Sequence, residues 1–555
     1  MSTFNPKMIG KTQWCKTVLL SFPALVPLFF FTGCKDRLTP VELANREQIL
    51  LIGNGTDPED LDPQVTTGLP EHHIHMALFE GLVNTHPEDL SPIPGVAERW
   101  EVSEDGRCYT FYLKRDAKWS NGDAVTSNDF IFSYRRMLTP EFGAEYAYMF
   151  YVVDNAEKYH RGELEDFALV GFEALDPHRL VVRLKTPTPY FLSLINHNSW
   201  YPVHEKTVLK YGKMSQRGSR WTRPGNHVGN GPFSLKEWNV SDVVVVKKNP
   251  FYWDAERVAL NGIRFYAIEN AITEERNFQA GQLHLTGTVN LNSIERLRRE
   301  RSQYLELHGW LGTYYYILNT DNPPLNDPRV RRALNMAIDR MAIVESITRG
   351  GQIPAYFFTP PNTAGYTSRI RLTEDLDLAR RFLDEAGYPE GKGFPLLRLL
   401  YNTSEAHRPI AEAIQDMWKK HLNIEVTLEN QEWKVYLQSR SDGEFTIARA
   451  GWIGDYNDPN TFLDLFTSSS GNNHTGWSNP LYDNLIAKAG KTLDMEERYE
   501  YFQQAEAILI NELPVIPIYF YVRTFLKQPS VQNWHPNILD QHPYKFVYLI
   551  AGDGS

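Results

Sequence analysis

A single apolar run, Val18–Phe31, constrains this 555-residue chain more than any other feature. It spans about 14 residues, short of the roughly 20 that cross a bilayer, and Pro23 and Pro27 interrupt it. Lys7, Lys11 and Lys16 precede it, and the small pair Thr32-Gly33 follows, ahead of Cys34. A positive stretch, an apolar stretch and small residues in that order predict an export signal over residues 1–33 rather than an anchor. No later run is comparable, so a polytopic membrane protein is excluded.

The approach to Cys34 resembles the bacterial lipobox, in which the Cys is lipidated and becomes the mature N-terminus; Phe31 stands where that pattern prefers Leu. Plain secretion is the alternative. Of the three Cys, Cys15 lies in the signal, Cys34 is the expected lipid site and Cys108 is left alone. No internal disulfide is expected, even in an oxidising compartment. Cys108 falls in the alternating stretch Cys108–Leu113 and reads as a buried strand residue, not a nucleophile.

Length alone suggests about three or four domains, and a chain of this size builds a core without disulfides or metals. Ordinary proportions, 42% hydrophobic and 23% charged, exclude a disordered or collagen-like chain. The formal charge of −11 falls to −14 once the three signal lysines are removed. An acidic chain without a Lys/Arg block is a poor partner for nucleic acid or anionic lipid.

Strand-like segments rich in β-branched and aromatic residues occur at Gln48–Asn54, Arg107–Leu113, Leu180–Leu184, Val243–Lys247 and Thr313–Asn319. Asp327-Pro328 starts a helix expected to carry Val330 through Ile347 and to stop at Gly350-Gly351. Further helices are expected over Leu376–Ala386, Pro409–Leu422 and Glu496–Asn511. Strands and helices alternate without a repeat or a flexible linker, which predicts one assembly of mixed α/β domains.

No phosphate-cradling G-x-x-x-x-G-K-[ST], no G-x-S-x-G elbow and no H-E-x-x-H is present. His72-His73-Ile74-His75 lacks the further ligands of a tetrahedral site; on a helix, 72 and 75 share a face and 73 does not, so a solvated or cleft-lining group is expected and no metal. Arg449-Ala450-Gly451-Trp452-Ile453-Gly454-Asp455-Tyr456-Asn457-Asp458-Pro459 is different. It follows the strand-like Phe445–Ala448 and enters a turn-rich loop, where binding groups commonly sit. Asp455 or Asp458 could meet an ammonium and Arg449 a carboxylate. A surface turn capped by Asp458-Pro459 explains the same residues.

The run Arg449–Pro459 resembles the signature of the periplasmic oligopeptide-binding proteins, the ligand-capturing subunits of peptide ABC importers within the family 5 bacterial extracellular solute-binding proteins. The resemblance extends through Leu78–Leu82, Pro94–Trp100, Lys118–Gly122, Val125–Phe130, Gly229–Phe233, Asn249–Trp253, Thr313–Tyr316, Tyr401–Ser404 and Asn430–Lys434. It implies an α/β, two-lobed clamshell of the type II-like periplasmic-binding-protein class with an extra inserted domain, three domains in all. Lobe I is then expected over residues 34–79, 203–305 and 523–555, the inserted domain over 80–202, and the other lobe over 306–522.

The resemblance further implies a binding protein, not an enzyme, that captures short peptides without a cofactor and delivers them to permease and ATPase subunits. Asp455 matches the acid that pairs with the peptide ammonium, and Arg449 and His407 match basic groups that meet the carboxylate at different peptide lengths. Trp433, Trp452 and Arg440 match pocket-lining positions, Tyr456 is counted with the peptide-binding set, and Thr67-Gly68-Leu69 matches a segment near the ligand backbone. Thr67 replaces an acid there, Ala271 stands where relatives carry an acid, and Ile453 replaces a Cys of some relatives. A monomer in the periplasm or cell envelope, touching membrane only through lipidated Cys34, is expected. The alternatives are the same fold taking dipeptides, metal chelates or another solute, a sensor or chaperone role, and a secreted peptidase, for which no nucleophile–base pair is visible.

Overall fold

The computed structural model describes residues 38–404 and 406–550. The expected signal and the lipidation site Cys34 lie outside the described residues. Among the described residues, no helix is long and apolar enough to cross a membrane.

Among the described residues, three sheets of four or six strands organise residues 39–550, with two two-stranded ladders beside them, and buried cores pack on each of the three. The first has four strands in the order Ile49–Gly53, Gly262–Tyr266, Val243–Lys248 and Phe233–Asn239. Its first pair is parallel, Ile49 opposite Gly262, and the others antiparallel. Four consecutive valines favour a pleated, half-buried strand, and Val244 and Val246 enter a core with Leu50, Ile263 and Phe265. Phe525, Tyr544, Val547 and Leu549 from the far end of the chain join the same core.

The second sheet is antiparallel, in the order Ala97–Val102, Cys108–Leu113, Arg179–Arg183 and Phe172–Asp176. Burial alternates along Cys108–Leu113, with Tyr109, Phe111 and Leu113 inward, as a strand with one covered face requires. Cys108 is therefore a strand residue but only half-buried, on the outward phase of the pleat.

The third sheet has six strands, ordered Ile353–Pro354, Val515–Leu526, Leu305–Leu318, Ile447–Ile453, Leu397–Asn402 and Val426–Gln431. Tyr314, Tyr316 and Leu318 enter one core while Tyr315 and Ile317 enter another, so both faces are covered. That is why three successive tyrosines are all buried. The strand exceeds the predicted Thr313–Asn319 because its first half, Leu305–Trp310, is only partly covered and lacks a strong apolar signal.

Leu305 and Leu526 pack with Phe278, Ile294 and Leu297, whereas the other ends of their strands belong to the six-stranded sheet. Two continuous strands thus run from one core to another. A register shift between Gly309 and Thr313 interrupts their pairing. Such bulges bend a strand and increase its twist.

The helix expected from Asp327 to Gly350 is broken. Pro328–Met336 is α-helical, Arg340–Ile343 forms a separate turn, and Val344–Thr348 follows as a π-helical turn. Asp339 adopts extended backbone and its carboxylate accepts the Ala342 N–H at 2.8 Å. An Asp that caps a new turn competes with helix continuation. The buried Arg340 secures the break by donating its Nε to the Pro517 carbonyl at 2.8 Å. The helices His407–Leu422 and Met495–Glu512 form close to expectation and end on the left-handed residues Asn423 and Leu513.

Candidate functional site

Arg449 lies on the strand Ile447–Ile453, opposite Tyr316, with Trp452 opposite Thr313. The backbone must pass close to Tyr521 here. A Cβ on Gly451 would stand 2.6 Å from the Tyr521 hydroxyl and 3.1 Å from Arg449 Nη2, which explains the glycine. Arg449 Nη2 donates to Tyr521 at 2.7 Å and Nη1 to Asn402 Oδ1 at 3.4 Å. Its guanidinium carbon lies 4.6 Å from the centre of the Tyr314 ring, and its buried Nε finds no hydrogen-bond partner among the described residues. No acid within ion-pair distance of Arg449 occurs among the described residues. It is a cation held by neutral groups.

His407 opens the helix His407–Leu422, and its Nδ1 approaches the Tyr314 hydroxyl at 3.5 Å. Burial, and then the neighbouring Arg449 charge, push its pKa down to about 3. At neutral pH it is then an uncharged hydrogen-bonding group.

Asp455 follows the same strand, six residues beyond Arg449. Its N–H donates to Thr461 Oγ1 and its Oδ2 accepts the Tyr148 hydroxyl, both at 3.3 Å. Burial pushes its carboxyl up to about 7, although part of its surface stays accessible. Asp458, the other candidate carboxylate, is committed elsewhere. Its oxygens accept two bonds from the fully buried Arg498, at 2.7 and 2.8 Å, while Oδ1 caps the Asn460 N–H at 2.9 Å. It serves neither an ammonium nor a surface turn.

Asp464, which sequence reasoning missed, belongs to this acidic group. Its Oδ2 accepts from Asn460 Nδ2 at 2.9 Å, and burial followed by repulsion from Asp455 and Asp458 pushes it up to about 8. The only sequence signal was its position within the segment Asn460–Phe466, where buried aromatic and aliphatic residues surround it.

Tyr456 does not line an open surface. It is buried, stacked at 4.7 Å on Tyr190, and packed into the core of the second sheet. Asn460 Nδ2 reaches the hydroxyls of both tyrosines, at 3.2 and 3.4 Å. The ring thus fastens the Asp455 loop to the body that carries Tyr148.

Trp452 and Arg440 are both half-buried, with Trp452 Nε1 and Arg440 Nε buried and without partners among the described residues. Arg440 lies 5.7 Å over the Tyr436 ring, and the Tyr436 hydroxyl donates to the Arg449 carbonyl. Trp433 begins the helix Trp433–Ser441, but its side chain lies outside the described residues. Thr67 and Leu69 are exposed beside Gly68, the N-cap of the helix Leu69–Leu78. Ala271 begins the helix Ala271–Gln279 and Ile453 ends its strand, both half-buried.

The histidines of the helix Leu69–Leu78 form no ligand set; His72 and His73 are half-buried, with His73 lining a cavity, and His75 is buried. His72 meets Asn198 Oδ1 at 3.2 Å, His73 meets Asn54 Oδ1 at 3.0 Å and His75 meets Thr66 Oγ1 at 2.8 Å. Burial lowers all three pKa values. Each is a neutral imidazole with its own partner.

Several cores joined by two shared strands, with a cation and an acid displayed along one strand and its loop, define a multidomain solute-binding protein. Residues 91–474 match the bacterial extracellular solute-binding proteins, family 5 (middle). The chain belongs to this family, with its two-lobed clamshell fold, and is a binding protein rather than an enzyme. It is 37% identical to the periplasmic oligopeptide-binding protein OppA of Salmonella typhimurium over 92% of this chain and 94% of that one. It is 38% identical to the periplasmic murein peptide-binding protein MppA of Escherichia coli, over 89% and 92%. Among solved structures, Escherichia coli MppA matches with a TM-score of 0.79 at 36% identity, covering 90% of this chain and 98% of the other. Haemophilus influenzae OppA in complex with RPPGFSPFR matches at 0.76 and 35%, covering 91% and 99%.

Proposed function

We propose that the chain is the ligand-capturing subunit of a peptide ABC importer. It is exported by residues 1–33, held at the envelope through lipidated Cys34 and active as a monomer that hands its cargo to permease and ATPase subunits. Lobe I comprises residues 34–79, 203–305 and 523–555, the inserted domain 80–202 and the other lobe 306–522. A short peptide is held as the lobes close, its ammonium on Asp455 and its carboxylate on Arg449, with His407 donating a hydrogen bond at some peptide lengths. Trp433, Trp452, Arg440 and the segment Thr67–Leu69 line the space for its side chains and backbone.

The observation that carries this reading is the pair of uncompensated charges on one strand and its loop. Among the described residues, Arg449 has neutral partners only, and Asp455 has a tyrosine but no cation. Six residues of extended chain span at most about 20 Å, which suits a zwitterion a few residues long. Backbone pairing supplies affinity common to all peptides, and bridging waters accommodate different side chains. With Thr67 and Ala271 in place of acids, basic peptide side chains gain no special attraction.

Mass spectrometry of small molecules released from the natively purified protein tests this. A set of short peptides is the expected outcome; a metal chelate, a sugar or a bile acid overturns it.

A further inference from the structure

His308 is remote in sequence from Asp540 and His542, which stand two residues apart, yet the three bring one ligand atom each within 4.8 Å of one another. We propose that they form a binding site for one divalent transition-metal ion, with Zn2+ as its natural occupant. Among the described residues this is the one group of three such side chains so close together. The inference is independent of the peptide-binding reading.

The geometry fits a tetrahedral ion. Zinc bonds of about 2.0–2.2 Å to nitrogen and oxygen place neighbouring ligands roughly 3.4 Å apart. Asp540 Oδ1 lies 3.1 Å from His542 Nε2, a hydrogen bond whose proton the ion would replace, and 3.8 Å from His308 Nε2, bracketing that separation. The third edge, between the two imidazoles, is no longer than 4.8 Å. Two imidazoles and one carboxylate suit Zn2+ and its first-row neighbours, whereas Ca2+ and Mg2+ require oxygen-rich shells.

His308 supplies an independent observation. Both of its ring nitrogens are buried without a hydrogen-bond partner, and its 3.8 Å approach to Asp540 is too long for one. Buried polar atoms in native proteins are normally satisfied. An ion between Nε2 and Oδ1 gives His308 Nε2 the partner it lacks.

The surroundings hold the ligands in place. Arg523, opposite His308 in the strand register, donates Nε to Asp540 Oδ2 at 2.6 Å, which leaves Oδ1 to face the imidazoles. Trp534 stacks on His542 at 4.0 Å, and Phe525 meets His308 edge-on at 5.4 Å. Such outer contacts orient metal ligands. A cavity lined by His73, Gly287, Arg523, Trp534, Asp540 and His542 borders the site. The guanidinium lowers the site's net negative charge and so limits its affinity, which suits a reversible ligand.

The position gives the ion a consequence. His308 lies just before the register shift at Gly309–Thr313, where the long strand passes from one core to another. Leu311 N–H already donates to the Ile538 carbonyl of the same C-terminal segment at 2.6 Å. Bound metal adds a second tie at this crossing and stiffens it.

The test uses the full protein stripped with a chelator and then titrated with Zn2+, and with Co2+ as a spectroscopic probe. The wild type should take up one equivalent with a rise in Tm, and Co2+ should show the visible bands of four-coordinate nitrogen–oxygen ligation. His308→Gln, the more accessible ligand, should weaken Zn2+ binding at least tenfold and abolish the Co2+ bands, with circular dichroism confirming the fold. His542→Gln should do the same, while His72→Gln should change nothing. Absence of saturable binding, or an unchanged titration and Co2+ spectrum in folded His308→Gln, overturns the proposal.

Discussion

The Tyr148 hydroxyl reaches 3.3 Å to Oδ2 of Asp455, although the two residues come from bodies built on different sheets. The contact gives Asp455 one neutral donor and leaves its charge uncompensated. A peptide ammonium would supply the missing partner. Replacing one member of a desolvated ion pair costs about 3–5 kcal/mol, so Asp455→Ala should weaken peptide affinity by two or more decades with the fold intact. Calorimetry on the folded variant checks this; unchanged affinity would remove Asp455 from the site.

Affinity should also depend on pH. The Asp455 carboxyl stands near 7 in the empty protein because of burial, and an incoming ammonium lowers it. Binding then requires loss of a proton at low pH. Affinity is full above about pH 7 and falls as pH drops below it, by up to tenfold per unit until the bound-state pKa is reached. Calorimetry from pH 5 to 8 should show this slope in the wild type, and Asp455→Asn should flatten it.

The same shift acts on folding with the opposite consequence for the empty protein. A carboxyl raised from its ordinary value near 3.9 to about 7 destabilises the folded state, progressively from about pH 4 up to about pH 7. Asp455→Asn should therefore raise stability at pH 7.5 by about 1–2 kcal/mol, discounted for its accessible surface, and leave it unchanged near pH 4. Thermal melts at the two pH values distinguish these outcomes.

Arg449 and His407 share Tyr314 but should not be equivalent. Arg449 keeps its charge, and a charge-assisted bond is roughly twice as strong as a neutral one. Arg449→Gln should weaken peptides with a free C-terminus about 10- to 100-fold and leave C-terminally amidated peptides nearly unaffected. His407, held neutral by burial and by Arg449, should contribute less, and His407→Gln should leave the pH dependence of affinity between pH 5 and 8 unchanged. Equal losses for both variants at every peptide length would refute their separate roles.

How far residues announce themselves depends on whether their partners are local. Val243–Lys248 declares a strand through its own side chains, and His407–Leu422 declares a helix through Ile410, Ile414 and Trp418 on one face. The break at Asp339 was invisible because apolar spacing continues through it; a capping carboxylate and the Arg340–Pro517 bond decide it. Asp455 and Asp458 look alike in the sequence, and only the distant Arg498 separates them. Tyr456 reads as a site aromatic until Tyr190 is found stacked on it. Asp464 shows only its place in an apolar segment, and nothing local joins His308 to Asp540 and His542.

That division between the two aspartates yields the sharpest contrast. Arg498 is fully buried, Asp458 is 4% exposed at its side chain, and the pair is joined by two hydrogen bonds of 2.7 and 2.8 Å. Removing the carboxylate strands a buried guanidinium whose remaining bond is from Nε to the Ala489 carbonyl at 3.0 Å. Asp458→Ala should therefore lose about 3–5 kcal/mol of stability, seen as a lower denaturant midpoint. Because Asp458 Oδ1 also caps the turn that carries Asp455, some affinity is lost with it. The two variants separate by order of effect: Asp455→Ala should fail in binding while melting normally, and Asp458→Ala should melt early. An Asp458→Ala protein of wild-type stability would show that the buried pair does not hold this turn.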